Sequence, residues 1–276
     1  MPTKYIHING HATYIHYSGK TTLPEVVPDF SKGRTIVMVH GAGANGHIWH
    51  KQIAHLGNAH SPVAMCLPGH GRSSGIEGLK SVRDYANFLA MFMDALQIKS
   101  AVIAGHSMGG AVAMDFAVRH PARVEGLMLV ATAARFNIPA DAREGYRAVM
   151  MGRAPQAFTT DGYSPRTIKE NFDVVREGWM EQIKTDPRVR YTDLLAVEQV
   201  DLRADIEKIS KPTMILAGVD DPITTAADAE GIGSKIKGAK IEVIADGGHM
   251  LPWERPAEVN AAFDNFLSGL SQVHTR

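Results

Sequence analysis

Short apolar runs alternate with helix-like segments along most of the chain, and this alternation limits the possible folds more than any other feature. The runs cover residues 35–39, 63–67, 101–104, 126–130, 213–217 and 241–244. These runs consist almost entirely of apolar residues and do not alternate apolar with polar positions. Such a composition is typical of strands buried on both faces. Segments between them, such as 82–96, space their apolar side chains as a helix does. The sequence therefore predicts an α/β fold with a mostly parallel central sheet flanked by helices.

The alternation stops between residues 132 and 209, where no convincing buried strand appears. A stretch of this length is too long for a simple loop. We therefore predict a helical cap insertion, residues 132–209, over one end of the sheet. The chain has 276 residues, enough for one large domain that carries such an insertion. The predicted core domain then comprises residues 1–131 and 210–276.

The charges of the chain balance, with 29 Lys and Arg residues against 29 Asp and Glu residues. No net field favours nucleic acid or an anionic membrane, so we expect neither as a partner. No apolar stretch is long enough to span a bilayer. We expect a small neutral substrate instead, and leave a homodimer open.

The cysteine content indicates where the protein works. Cys66 is the only cysteine, so no intramolecular disulfide can form, and a reducing compartment is expected. The N-terminus shows no secretory signal pattern, which favours a cytoplasmic protein. Cys66 itself follows an apolar run and is predicted to be a small buried side chain.

The strongest local motif is Gly105-His106-Ser107-Met108-Gly109, which has the G-x-S-x-G pattern between a predicted buried strand and a helix. Such a turn is very tight, and glycines flank the serine because a Cβ there would collide with the neighbouring strand or helix. The serine is held in a strained conformation with its hydroxyl exposed at the edge of the sheet. We therefore predict that Ser107 is a nucleophile.

Serine needs a base to take its proton, and the base needs an acid to orient it. His249 follows the last apolar run in a glycine-rich loop, from which it can reach across the sheet edge. Asp220 and Asp221 follow the run before it, and spacing alone does not decide between them. The order Ser, Asp, His along the chain agrees with this order of strands.

A loop of small residues follows the first strong buried run. In His40-Gly41-Ala42-Gly43, a backbone N–H can approach the oxygen of a substrate. We expect the N–H groups of Met108 and Ala42 to form an oxyanion hole, with Gly43 as the substitute for Ala42.

Together these motifs resemble the α/β-hydrolase superfamily, in its carboxylesterase, lactonase and carbon–carbon hydrolase branch. The resemblance covers nearly all of the chain outside the insertion. It rests on the motifs above and on Trp49 with Gln52, Leu67 to Ser73, Pro212 to Pro222 and Gly248-His249 followed by Glu254-Arg255-Pro256.

The resemblance also helps to choose the acid. Family members often have a glycine followed three residues later by the aspartate and four further on by a proline; Gly218 and Asp221 match, whereas Thr225 stands in place of the proline. Residues 131–134 contain no carboxylate that could serve instead. Asp221 is thus preferred to Asp220.

Several other polar residues are expected to be structural. Trp49 and Gln52 should pack the first helix, His70 and Arg72 should hold loops, and His106 should point away from Ser107. The closely spaced histidines match no known zinc spacing and are expected at the surface: His47, His50, His55 and His60. No phosphate loop or dinucleotide fingerprint occurs, so we expect neither cofactor nor metal.

The sequence thus predicts a serine hydrolase that cleaves a small or medium neutral carboxylic ester through an acyl-enzyme. The weaker candidates for its substrate pocket are Gly43, Met150, Met151, Trp179 and Trp253. Hydrolysis of a lactone, or of a carbon–carbon bond in a dienoic diketone, is the alternative, because the same triad would serve. A cofactor-free lyase or oxygenase, or a ligand receptor, is an alternative of another class, since fold alone does not decide function.

Overall fold

The computed structural model describes residues 1–23 and 25–270 and contains one eight-stranded sheet. Its order across the sheet is β1-β2-β4-β3-β5-β6-β7-β8. The strands are β1 (Thr3–Ile8), β2 (His11–Tyr17), β3 (Thr35–Val39), β4 (Ser61–Met65), β5 (Ala101–His106), β6 (Val124–Val130), β7 (Thr213–Gly218) and β8 (Lys240–Ile244). The first two strands pair antiparallel and the other six are parallel, which confirms the predicted α/β fold.

Ten α-helices lie between or after the strands in the described chain. They are α1 (His50–Leu56), α2 (Val82–Ala95), α3 (Met108–Arg119), α4 (Ala140–Met150), α5 (Pro165–Glu170), α6 (Phe172–Gln182), α7 (Pro187–Glu198), α8 (Ala226–Gly233), α9 (Leu251–Glu254) and α10 (Pro256–Gly269). None of these helices has the length and apolarity that crossing a bilayer requires.

The central strands are apolar on both faces because both faces are covered. Alternate residues of β5 illustrate this, since Ile103 packs in one hydrophobic cluster while Val102 and Ala104 pack in the other. All three are fully buried. Burying a side chain as large as valine or isoleucine stabilises the fold by roughly 1.5–3 kcal/mol, so strands of this kind form between two layers of helices.

The last strand differs from the prediction. We expected the run 241–244 to be buried on both faces, but only Ile244 is buried in β8. Ile241 and Val243 are 39% and 43% exposed. This strand lies at the edge of the sheet, where the covering helices do not extend over both of its faces.

The first hairpin has the turn that its sequence predicts. Asn9 and Gly10 join β1 to β2, and both have positive φ angles of 49° and 80°. Two-residue hairpin turns of this handedness require such angles at both positions, which Asn-Gly tolerates better than most pairs.

The segment 132–209, which we call the insert, carries helices α4 to α7 and no strand beyond one isolated bridge, Arg135 to Asp201. It contacts the loops that follow β3 and β8: the Gly43 N–H donates to Asp193, and the His249 N–H donates to the Gly162 carbonyl. Because strands β3 and β8 are parallel, these loops lie at the same edge of the sheet. The insert therefore contacts the edge of the sheet at which the predicted site residues lie.

Candidate active site

Ser107 occupies the sharp turn between β5 and α3. Its φ and ψ angles are 52° and −122°, a conformation that side-chain-bearing residues rarely adopt. The turn is held from both sides, since the Ser107 N–H donates to the Val130 carbonyl and the Thr132 hydroxyl donates to the Ser107 carbonyl at 2.7 Å. The hydroxyl of Ser107 is thereby fixed at the start of α3, at the carboxyl end of the sheet.

Both glycines of the motif are required by space, as the sequence suggested. A Cβ on Gly105 would lie 2.2 Å from the Gly109 carbonyl oxygen at the start of α3. A Cβ on Gly109 would lie 2.3 Å from the Val39 carbonyl oxygen of β3. The first contact is with the helix and the second with the neighbouring strand, so neither backbone can yield without displacing the turn.

The structure brings Ser107 together with His249 and Asp221. The Nε2 atom of His249 is 3.0 Å from the Ser107 hydroxyl, and its Nδ1 atom is 2.9 Å from Asp221 Oδ2. The three side chains come from the ends of β5, β7 and β8 and are nearly buried. An aspartate carboxylate only accepts, so Nδ1 carries the hydrogen and Nε2 is free to accept the serine proton.

Asp221 is held by several donors besides His249. Its Oδ1 atom accepts from the N–H groups of Ile223 and Thr224, and Oδ2 accepts from the Thr224 hydroxyl at 2.8 Å. Burial opposes ionisation of this carboxyl, but the nearby His249 and these hydrogen bonds outweigh it and lower the pKa of Asp221. Asp221 is therefore a carboxylate at neutral pH.

The fallback residue Asp220 takes another position. Its backbone N–H donates to the Gly247 carbonyl at 2.9 Å, and its side chain is half-buried beside the turn. Of the two aspartates, Asp221 is the one whose side chain contacts His249 in the described part of the chain.

The loop that carries His249 is fixed by its surroundings. The His249 N–H donates to the Gly162 carbonyl of the insert at 2.6 Å, and the His249 carbonyl accepts from His106 Nε2 at 2.7 Å. Burial lowers the pKa of His106 to about 3, so this ring is neutral. His106 thus positions the backbone of His249 and does not face Ser107 with a hydrogen bond, in agreement with the sequence prediction.

The small-residue loop after β3 lies against the serine. A Cβ on Gly41 would be 2.9 Å from the Ser107 Cβ. Ala42 is exposed, and within the described chain the N–H groups of Ala42 and Met108 donate to no carbonyl or side chain. Both groups are therefore available to an oxygen bound beside Ser107.

Gly43 is not available as the substitute donor that the sequence suggested. Its N–H donates to Asp193 Oδ2 at 2.8 Å. Asp193 lies on α7 of the insert, is fully buried, and also accepts from His70 Nε2 at 2.6 Å and from the Tyr85 hydroxyl. This side chain joins the insert to the small-residue loop after β3 and to the loop after β4. His70 therefore holds loops together, as the sequence predicted.

Sequence reasoning missed Thr132, Thr224 and Asp193. Thr132 lies two residues after the run 126–130, and Thr224 lies three residues after Asp221, so their positions close to the strand ends could have indicated a role in the site. Asp193 had no such signal, because it lies in a helix of the insert with no motif around it. Its burial and three donors become evident only in three dimensions.

For most of the residues predicted to line the substrate pocket, the observed contacts do not support a place in that pocket. Met151 follows the last residue of α4 and is 44% exposed. Trp179 packs against Phe158 with ring centroids 5.8 Å apart and donates to the Ala157 carbonyl, both within the insert. Trp253 is buried between α6 and α1, whereas Met150 is half-buried at the end of α4.

The burial of several other side chains bears on the structural roles that the sequence predicted for them. Trp49 and Gln52 are fully buried, and the Gln52 amide donates to the Pro252 carbonyl, so both pack the first helix as expected. Cys66 is buried, as predicted. His47 and His50 are half-buried and stack on each other, which differs from the expectation of a surface position.

Comparison with known proteins agrees with this architecture. A pimeloyl-[acyl-carrier protein] methyl ester esterase of Neisseria meningitidis is 30% identical over 256 residues, which cover 88% of this chain and 95% of that protein. The 3-oxoadipate enol-lactonase 2 of Acinetobacter baylyi is 26% identical, with 83% and 86% covered. The chain spans 64% of a 29% identical relative, the dihydrolipoyllysine-residue acetyltransferase component of the acetoin cleaving system of Cupriavidus necator.

Solved structures show the same fold. A hydrolase from Pseudomonas aeruginosa superposes with a TM-score of 0.83 at 23% identity, covering 97% of this chain and 98% of that one. The enol-lactonase from Burkholderia xenovorans gives a TM-score of 0.80 at 24% identity, covering 96% and 99%. The sequence matches the family described as the alpha/beta hydrolase family over residues 36–262. The chain therefore belongs to the alpha/beta hydrolase family.

Proposed function

We propose that the protein hydrolyses a carboxylic ester of small or medium size through a covalent acyl-enzyme, without a cofactor. The observation that supports this most directly is the hydrogen-bonded series Ser107, His249 and Asp221, with distances of 3.0 and 2.9 Å. Membership of a hydrolase family and the esterase names of several relatives agree with it.

In the first half of the proposed reaction, the Ser107 oxygen attacks the ester carbonyl while His249 Nε2 takes its proton. The negative charge that develops on the carbonyl oxygen is stabilised by the N–H groups of Ala42 and Met108, and one such donor typically contributes about 3 kcal/mol. His249 then gives its proton to the leaving alkoxide, and the acyl group remains on Ser107.

In the second half, His249 takes a proton from water, which attacks the acyl carbonyl. The tetrahedral intermediate uses the same two N–H groups, and its collapse returns the proton to Ser107 and releases the acid. Asp221 stays ionised and holds the Nδ1–H tautomer in both halves, since its lowered pKa opposes proton transfer to it.

A panel of substrates tests this proposal. We expect p-nitrophenyl esters of short and medium acyl chains to be hydrolysed with a burst of about one p-nitrophenol per chain, because acylation releases p-nitrophenol before a slower deacylation frees Ser107. A ring-cleavage dienoate and a lactone in the same panel separate the alternative reactions. Turnover of the dienoate with no ester turnover would reject the ester proposal.

A second candidate is hydrolysis of a lactone or ester that carries its own carboxylate, and Arg190 favours it. A Cβ on Gly43 would lie 2.9 Å from two atoms of the Arg190 side chain, so this side chain covers the residue next to Ala42. Its guanidinium lies over the Tyr146 ring at 5.1 Å, and Nη2 is 3.4 Å from the Tyr146 hydroxyl. Within the described residues, no carboxylate forms an ion pair with Arg190.

A half-buried arginine beside the oxyanion loop can bind a substrate carboxylate with paired hydrogen bonds. The enol-lactonase name of one relative agrees with such a substrate. We expect Arg190→Gln to lower kcat/KM for the p-nitrophenyl half-ester of a dicarboxylic acid at least tenfold, with little effect on a neutral ester of equal length. Arg188→Gln, on the exposed side of the same helix, serves as the control. Equal losses on both esters would reject this candidate.

A further inference from the structure

We propose that His47, His50 and Glu177 form a binding site for a divalent transition-metal ion such as Zn²⁺ where α6 of the insert meets α1 of the core. The three side chains share no member with the proposed catalytic set. Each offers one ligand atom, and the three atoms lie within 4.8 Å of one another.

The two histidines are presented together by the start of α1. They are three residues apart, across a 3₁₀ turn at Gly46–Trp49 and the first residue of the helix, so both rings lie on one face. Asn45 fixes this turn by accepting from the His47 N–H at 2.9 Å. The ring centroids are 4.5 Å apart.

A backbone contact sets the tautomer of His50. Its Nδ1 atom is 3.0 Å from the His47 carbonyl oxygen. A carbonyl only accepts, so Nδ1 carries the hydrogen and Nε2 keeps a free lone pair. Histidines that bind metals are usually oriented by a hydrogen bond of this kind from the second ring nitrogen.

The third ligand is positioned by close packing of α6. A Cβ on Gly178 would lie 2.6 Å from the Trp253 ring, so the helix backbone lies directly on that indole. The same ring contacts His47 and His50 edge-on, with centroids 6.2 and 6.0 Å away. Trp253 therefore sets the distance between the Glu177 backbone and the two imidazoles.

The distances are close to those of a bound ion. Glu177 Oε1 is 3.6 Å from His47 Nε2 and 4.0 Å from His50 Nε2. Ligand atoms around tetrahedral zinc, with bonds of 2.0–2.2 Å, are roughly 3.4 Å apart. The rings are now parallel to within 4°, so they must turn toward each other for both lone pairs to meet one ion. All three side chains are partly exposed, which leaves room for this rotation and for entry of the ion.

The ligand chemistry selects the class of metal. Two imidazoles and one carboxylate suit Zn²⁺, Ni²⁺ or Cu²⁺ and suit Mg²⁺ or Ca²⁺ poorly. Water would complete the coordination. Because one ligand belongs to the insert and two to the core, a bound ion would join the two and raise the thermal stability of the protein.

Titration of the full-length, chelator-treated protein tests the site. We expect one equivalent of Zn²⁺ in calorimetry, a rise of several degrees in Tm, and quenching of tryptophan fluorescence by Cu²⁺ because Trp253 lies beside both rings. Glu177→Gln and His50→Ala should each weaken Zn²⁺ binding at least tenfold and remove the rise in Tm. His55→Ala is the matched control, since His55 is on the same helix and pairs with Asp264 instead.

The outcomes are distinguishable. Circular dichroism in chelator shows whether each variant is folded, and Glu177→Gln is a conservative change at a partly exposed side chain. Binding of one equivalent that depends on both His50 and Glu177 supports the site. No stoichiometric binding, or wild-type affinity in Glu177→Gln, would overturn it, whatever the outcome of the esterase assays.

Discussion

At the scale of single residues, the two adjacent aspartates after β7 provide the sharpest comparison. Asp221 accepts four hydrogen bonds, including one from His249, whereas Asp220 contributes a backbone N–H to the Gly247 carbonyl. Asp221→Asn should lower kcat by roughly 10³- to 10⁴-fold, because an amide no longer fixes the tautomer of His249. Asp220→Asn should change kcat by less than about threefold, because its structural bond comes from the backbone.

The comparison is made with steady-state kinetics on one p-nitrophenyl ester, after circular dichroism has shown that both variants are folded. Similar losses in the two variants would mean that Asp221 does not have the orienting role proposed for it.

Residue identities in the site could be predicted to different extents from sequence. Ser107 and His249 follow strands in glycine-rich loops, and that local pattern is enough to single them out. The choice between Asp220 and Asp221 depends on which side chain turns inward, and spacing left it open; only the match of Gly218 and Asp221 to the family pattern favoured the latter. Asp193 could not be found, because its donors Gly43, His70 and Tyr85 are distant from it in sequence.

At the scale of the elements, the glycines show where backbone packing fixes the fold. Gly105→Ala places a Cβ against a carbonyl oxygen that is part of α3, so we expect loss of soluble folded protein or a large fall in Tm. Gly145 lies within α4, with nothing within 4 Å of an added Cβ. Gly145→Ala should therefore stabilise the protein by about 0.5–1 kcal/mol through helix propensity.

Thermal unfolding of the two variants measures this contrast. A Gly105→Ala protein with the Tm of the wild type would contradict the packing of the turn between β5 and α3. A fall in Tm for Gly145→Ala would show instead that α4 is packed more closely than the structure indicates.

The type of most elements could be predicted, because strands buried on both faces are recognisable as apolar runs. The exception is β8, whose apolar residues Ile241 and Val243 are exposed at the edge of the sheet. Whether a strand lies at an edge depends on the order of strands in the sheet, which a run of apolar residues does not encode.

At the scale of the whole molecule, Asp193 joins the insert to the core beside the small-residue loop after β3. Asp193→Ala leaves the Gly43 N–H, the His70 ring and the Tyr85 hydroxyl without their acceptor. Removing one partner of such a buried charged group typically destabilises a protein by about 3–5 kcal/mol. We expect a fall in Tm together with a lower kcat, because the Ala42 N–H adjoins the released Gly43.

The control is Asp173→Ala, which removes an aspartate on α6 of the insert whose side chain is 88% exposed and forms an ion pair with Arg176. An exposed pair of this kind contributes at most about 0.5–1 kcal/mol, so little change is expected in Tm or kcat. Equal changes in both variants would show that the Asp193 contacts do not hold the insert on the core.

The central claim is that Ser107 is the nucleophile, and covalent labelling with a fluorophosphonate tests it most directly. The probe reacts with a serine whose hydroxyl is activated by a neighbouring base, and mass spectrometry of the digested protein locates the adduct. We expect one adduct per chain on the peptide that contains Ser107, none in Ser107→Ala, and full labelling in the control Ser234→Ala, which removes an exposed serine after α8. An adduct on another residue of the wild type, or undiminished labelling of Ser107→Ala, would contradict the account.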